Sequence, residues 1–407
     1  MALIVQKYGG TSVADAERIK NVAQRIRKAH ESGRRLVVVV SAMAGETNHL
    51  EKLAQSIHPE PNGREYDMLL ATGEQVTIAL LAMALQAEGI EACSFLGHQV
   101  RILTDSSFSK ARIKSIDASV IREALDQGRI VIVAGFQGVD EAGNITTLGR
   151  GGSDTSAVAL AAALKADACE IYTDVDGIYT ADPRLCTQAR KLMKISYEEM
   201  LELAAAGAKV LQNRAVELAA KFHVPLWVKS SFKEEEGTLV TREDSDMEQL
   251  LVSGVAYSRD EAKIAARHLK DEPGIAARLF QPIADANINV DMIVQNISAD
   301  GFTDLTFTVP QNELKQAVRI AKDVTAQMNG SRIETDEKIA KVSVIGVGMR
   351  THAGVAATAF SKLSEAGINI MMITTSEIKI SIVIREDQME KAVKVLHQAF
   401  ELGELNG

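Results

Sequence analysis

The chain has 407 residues, 46% apolar and 24% charged, and 45 Lys and Arg against 54 Asp and Glu leave a net charge of −9. This is ordinary globular usage, which excludes a mainly disordered chain, and at roughly 150 residues per domain the length predicts two or three domains. An acidic balance with 4% aromatic residues gives no footing for nucleic acid, which wants a basic surface and stacking rings. Cys93, Cys169 and Cys186 are too scattered for a disulfide framework or a CxxC metal pattern, so a reducing cytoplasm is the simplest compartment. Residues 1–7 hold no basic run leading into an apolar one, so no signal peptide is expected. Apolar stretches such as 76–87 fall short of the roughly 20 residues that span a bilayer.

In chain order the pattern predicts a strand at 3–7, a helix at 14–31, a strand at 36–41 and a buried helix at 68–88. A strand at 130–136, an Ala-rich helix at 153–164, a strand at 170–173, helix through 197–223 and a strand at 225–228 follow. The run at 36–41, Leu-Val-Val-Val-Val-Ser, is β-branched and apolar on both faces, as a strand inside a parallel sheet must be. Strands alternating with helices predict an α/β domain.

Several loops of this region can carry chemistry. Lys7-Tyr8-Gly9-Gly10-Thr11-Ser12 joins a strand to a helix. Glycines let backbone amides approach an anion and Lys7 adds a charge, but a plain turn capped by Thr11 or Ser12 fits as well. Gly149-Arg150-Gly151-Gly152-Ser153-Asp154 precedes the Ala-rich helix. It reads as an anion nest whose Arg150 can grip a carboxylate through two bonds, or as a turn capped by Ser153 or Asp154. The segment 172–184 holds Asp174 and Asp176 but lacks the other ligands of a calcium loop, which leaves a nucleotide-contacting loop or a plain turn. Ser41 to Thr47 ends an apolar strand, where α/β proteins place ligands. Glu74 can hold an ammonium or pair with a structural arginine. Gly346-Val347-Gly348 is followed by Thr351 where a dinucleotide fingerprint needs glycine. His49, His98, His223 and His352 are scattered, so no metal cluster is expected.

At 232–248 the chain becomes charged and poor in large apolar residues, and reads as a linker. Beyond it the sequence repeats at an offset of 80: Gly274-Ile275-Ala276 returns as Gly354-Val355-Ala356, and Ile288-Asn289-Val290 as Ile368-Asn369-Ile370. The first copy reads strand 263–268, helix 275–286, strands 290–297 and 303–309, helix 311–328 and strand 331–336, a βαββαβ unit. The second reads 341–346, 353–365, 369–374, 377–384 and 387–401 and lacks its last strand. The strand-like 250–257 is expected to supply it, with the first unit inserted between.

Taken together, Lys7 to Ser12, Ser41 to Thr47, Thr147 to Asp154 and Tyr172 to Arg184 resemble aspartate kinases, and the resemblance covers essentially the whole chain. It implies an α/β amino-acid kinase sandwich, carbamate-kinase-like, at 1–231 and two C-terminal ferredoxin-like βαββαβ ACT domains. The linker is 232–248, the first ACT domain 263–340, and the second 249–262 plus 341–407. The length and the missing GxGxxG point to a form without a fused homoserine dehydrogenase.

The activity implied is phosphoryl transfer from ATP to the side-chain carboxylate of L-aspartate, giving 4-phospho-L-aspartate on the way to lysine, threonine and methionine. Lys7 and Asp174 would be catalytic. Lys7, Tyr8, Gly9, Gly10, Ser41, Thr173, Asp174, Tyr179, Arg184, Lys209 and Val210 would surround ATP, with Mg2+ held mainly by the phosphates. Thr47, Glu74, Arg150 and Ser153 would surround aspartate, with Arg150 on its α-carboxylate and Glu74 on its ammonium. Lysine, threonine or both would inhibit through Asp271, Gly274, Ile275, Ala277, Asn289, Val290 and Asp291 and, in the second copy, Asn369, Ile370, Thr374, Thr375, Ser376 and Glu377. The resemblance also implies a homo-oligomer, with a shorter subunit translated from Met247, while composition and the short apolar runs point to no membrane or nucleic-acid partner. The competing readings are a non-catalytic amino-acid sensor and a kinase of another amino-acid carboxylate such as glutamate.

Overall fold

A computed structural model describes residues 1–208, 210–243, 251–297, 301–326 and 331–403. The chain divides into two compact units, 1–178 with 191–204 and 209–247, and 179–190 with 205–208 and 248–407.

The first unit is built on an eight-stranded sheet. Its strands lie in the order Lys194–Ser196, Thr238–Thr241, Leu226–Ser230, Ala168–Thr173, Leu3–Tyr8, Arg35–Val40, Ile130–Ala134 and Ala92–Phe95. The central strands run parallel, in register Tyr8 with Val40 and with Tyr172. Parallel strands are covered on both faces, which is why Leu36 to Val40 are all buried. Ile4, Tyr8, Val38 and Val40 pack with Ile19, Val22 and Ile26 of Ala16–Glu31 and with Leu81 and Leu85 of Thr72–Ala87. Alternation turns Val37 and Val39 to the opposite face. There Gly152–Leu164, whose small side chains allow close approach, packs on the sheet and on Asn213–Phe222.

Four features depart from the expected pattern. The run 64–87 breaks at Ala71 into Arg64–Leu70 and Thr72–Ala87. By length and composition it does suffice to cross a membrane, but half of its apolar window is buried inside the protein. A second sheet of Ile113–Ile116, Ile102–Thr104, Gln137–Val139 and Ile145–Thr147 has no sequence forecast, because strands of three or four residues show too little alternation. The helix expected through 197–223 is two, Tyr197–Ala205 and Asn213–Phe222. The stretch read as a linker, 232–248, contains Thr238–Thr241, which buries Thr238 and Val240 and pairs with both neighbours in the main sheet. Its alternation was masked by the charged residues before it, and residues 244–248 lie outside the described residues.

In the second unit, Gly254–Ser258 pairs antiparallel with Ile339–Ile345, followed by Lys379–Arg385 and Met372–Thr375. The chain then goes through Glu261–Lys270, Ile293–Ile297, Phe302–Pro310 and Arg332–Asp336, a separate four-stranded sheet, before returning to Ile339–Ile345. Each repeat opens its first helix, Ile275–Asp285 or Val355–Glu365, behind a left-handed glycine, Gly274 at φ 92° and Gly354 at φ 102°. Met292, Ile339, Met372 and Val383 form one apolar cluster drawn from both repeats.

Candidate active site

The site lies where the parallel strands of the first unit end. Because Leu3–Tyr8 and Ala168–Thr173 are neighbours in register, the loops after them emerge side by side, and Gly9 N donates to Tyr172 O at 3.4 Å. A Cβ on Gly9 would stand 3.3 Å from Lys7 Nζ, and one on Gly10 only 2.9 Å from Ala42 O, so the loop closes tightly because it carries no side chains there. Lys7 Nζ lies 2.7 Å from Asp154 Oδ1 in the first turn of Gly152–Leu164. That helix begins after Gly151, whose φ of 69° suits glycine and whose Cβ would overlap the Gln212 side chain. Ser41 Oγ, at the end of the neighbouring strand, donates to Ser153 Oγ at 2.9 Å.

Glu74 is 3% exposed on Thr72–Ala87. Its Oε1 accepts from Ala42 N at 3.0 Å, while its Oε2 is buried with no partner among the described residues. Burial pushes its pKa up to about 7, against the lowering effect of the Ala42 hydrogen bond. Arg150 is exposed and makes no ion pair or hydrogen bond among the described residues. Lys7, Ser41, Thr47, Glu74, Arg150 and Ser153 line one cavity of about 500 Å³, which Val210 also borders. All four residues expected around the acceptor are therefore together, with Lys7 beside them.

The expected nucleotide residues are less uniform. Tyr8 is wholly buried, its ring stacked on Tyr172 at 4.7 Å, so its side chain belongs to the core and only its backbone borders the glycine loop. Thr173 and the exposed Asp174 close the end of Ala168–Thr173, with Thr173 Oγ1 donating to Asp174 Oδ1 at 3.0 Å. Tyr179 and Arg184 fall in the second unit. There Asp182 accepts from Arg184 Nε at 3.0 Å and Nη2 at 2.7 Å, and from Tyr257 Oη at 3.0 Å. Lys209 lies outside the described residues. Of the residues expected to meet effectors, Asp271, Gly274, Ala277, Asn289 and Asn369 are exposed, whereas Ile275 is buried. Asp291 is ion-paired with Lys341.

Sequence reasoning missed Asp154 as the partner of Lys7, although it stands inside the glycine-rich motif. It also missed Thr147, whose buried Oγ1 has no partner among the described residues, and Ser109, both of which line the cavity. No local pattern marks Ser109, since chain folding alone brings it there.

The amino acid kinase family model matches residues 2–230, and the ACT domain model matches 263–324 and 342–400. An aspartate kinase of Pseudomonas putida is 58% identical over 403 residues, covering 99% of this chain and 98% of its own. Escherichia coli aspartokinase III in complex with aspartate and ADP, in its R-state, is similar with a TM-score of 0.82 at 27% identity, over 98% of this chain and 99% of that one. The same enzyme with lysine and aspartate, in its T-state, gives 0.78 at 27% identity and the same coverage.

Proposed function

The chain belongs to the aspartate kinase family, and on that premise we propose that the 500 Å³ cavity takes L-aspartate and presents its side-chain carboxylate to ATP at the Gly9–Gly10 loop. The observation that carries this reading is the pair of buried oxygens without partners among the described residues, Glu74 Oε2 and Thr147 Oγ1, in a cavity that also holds Arg150, likewise unpaired among them. A buried polar atom without a partner is costly, and an amino acid supplies what is missing. Its ammonium satisfies Glu74 and its α-carboxylate meets Arg150.

A carboxylate acceptor is ionised at neutral pH, so no general base is required. The difficulty is bringing one anion onto a polyphosphate, which makes position and positive charge the main contributions. Lys7 supplies the charge, and Asp154 holds its ammonium in place. Ser41 and Ser153 orient one another beside it. The tight glycine loop fits phosphate oxygens, since its amides are open to close approach. Mg2+ would be carried mainly by the phosphate oxygens. Asp174, Thr173 and Val210 are assigned to the nucleotide.

We further propose that the paired ACT modules bind lysine, threonine or both and lower activity, that the chain acts as a homo-oligomer in the cytoplasm, and that Met247 starts a shorter subunit. The Escherichia coli relative was crystallised with lysine, which supports an amino-acid effector. A coupled ADP-release assay tests the whole reading. Turnover is expected with aspartate and not with glutamate, and it should fall when lysine and threonine are added. Turnover with glutamate alone would overturn the acceptor, and indifference to both amino acids would overturn the regulation.

A further inference from the structure

Asp67 is fully buried in Arg64–Leu70, outside every motif. Its carboxylate accepts three hydrogen bonds, from Ser109 N at 2.9 Å, Ser109 Oγ at 3.0 Å and Thr147 N at 2.6 Å. These donors come from two separate stretches of the small sheet: the turn between Ile102–Thr104 and Ile113–Ile116, and the end of Ile145–Thr147. Ser109 and Thr147 both line the acceptor cavity.

The Ser109 backbone sits at φ 65°, a left-handed conformation that a serine keeps only when its surroundings hold it. The Ser109 carbonyl oxygen is 3.0 Å from the place of a Gly149 Cβ, so this turn leans on the loop that carries Arg150. From the other side, Arg214 donates to Leu148 O at 2.7 Å and to Ala111 O at 3.0 Å. The Arg150 loop is thus fixed between a buried carboxylate and a guanidinium.

We propose that Asp67 is a positioning residue for the acceptor amino acid: it sets Ser109 and Thr147, and through them the Arg150 loop, at the spacing the substrate needs. It touches no reacting atom. The inference rests on aspartate occupying this cavity. Wild-type enzyme that releases no ADP with aspartate would overturn that occupancy before any variant is compared.

Hydrogen-bond geometry separates positioning from charge. Asp67→Ala leaves two buried N–H groups without an acceptor. Asp67→Asn keeps one oxygen for both of them, and its amide can donate to Ser109 Oγ, so the geometry survives without the charge. Steady-state kinetics on the full chain should show aspartate KM raised ~10–100-fold in Asp67→Ala, since displacements near 1 Å cost up to this much, with ATP KM unchanged. In Asp67→Asn, aspartate KM should return to within about threefold of wild type. Unchanged aspartate KM in Asp67→Ala, equal impairment of the two variants, or parallel loss in kcat and both KM values would each overturn the proposal. Should Asp67→Ala fail to fold, Ser109→Ala decides: aspartate KM raised about threefold or more with ATP KM constant supports it, and unchanged aspartate KM overturns it.

Discussion

Around the cavity of the first unit Arg150 has no partner among the described residues and Glu74 keeps one oxygen without a donor, whereas in the second unit the buried Lys341 is held by both Glu261 and Asp291. Burial alone would lower the Lys341 pKa, but the two carboxylates outweigh it and raise it. Arg267 is likewise held by Asp304 at 2.7 Å and Glu334 at 3.1 Å. The contrast separates two uses of charge. Charges that bind substrate, Arg150 and Glu74, are left with open capacity that substrate completes, and the one aimed at the phosphoryl group, Lys7, is fixed by the rigid neighbour Asp154. Charges that join elements must be satisfied at home, where they set orientation more than they add stability.

The strongest attempt to break this contrast is Lys7→Ala. If the Lys7 ammonium, held in place by Asp154, stabilises the transferring phosphoryl group, kcat should fall roughly 10²–10³-fold, the loss usual for one electrostatic group in a transition state, with little change in aspartate KM. An unchanged kcat would remove Lys7 from the mechanism. Arg150→Ala comes next, because the α-carboxylate does not react. A lost charged hydrogen bond at an exposed guanidinium is expected to cost about 2 kcal/mol, roughly 30-fold in aspartate KM, with ATP KM constant. A rise in ATP KM instead would move Arg150 to the nucleotide.

What the chain order reveals follows the same divide. The glycine loops at Gly9–Gly10 and Gly149–Gly152 were legible, because tight approach demands glycine and leaves a motif. The repeat was legible too, since Gly274 and Gly354 must both adopt left-handed backbone to open a helix. Pairs made by long-range folding were not. Lys7 with Asp154, Asp67 with Ser109 and Lys341 with Glu261 join residues separated by 42 or more positions, and no local period encodes them. Tyr8 was placed beside ATP by its position in a motif, yet its alternation as the last residue of a two-faced strand sends the ring into the core. The short strand Thr238–Thr241 was hidden by the charge preceding it.

The titration of Glu74 sharpens the comparison without removing a charge. Its pKa is raised to about 7, so below that pH a growing share of the empty sites holds a proton on the carboxyl. An ammonium pairs with the ionised form, so it must expel that proton. Aspartate KM is therefore expected to rise about tenfold per pH unit below the Glu74 pKa and to level off above it. Glu74→Gln should bind aspartate more weakly at pH ~8 and lose the acid limb. A limb that persists in the variant would assign the titration to another group.

The smallest effect is expected where charge is already paired. Asp291, among the residues through which the resemblance implies inhibition, is paired with Lys341, but its side chain is 38% exposed against 12% for Glu261. Its open side can still accept an ammonium while Lys341 stays bound to Glu261. Asp291→Ala keeps that second pair, so the joint between the repeats should hold and uninhibited kcat should stay within about threefold. Inhibition requires the effector to bind one arrangement of the enzyme better than another, and the variant removes one contact of that preference. Losing a charge-assisted hydrogen bond at a half-exposed group should raise the half-inhibiting lysine or threonine concentration about tenfold. Activity measured against effector concentration decides the matter. Superimposable curves for wild type and variant would mean that Asp291 only joins the two repeats, and that the effector ammonium is met by a residue whose charge the fold leaves open.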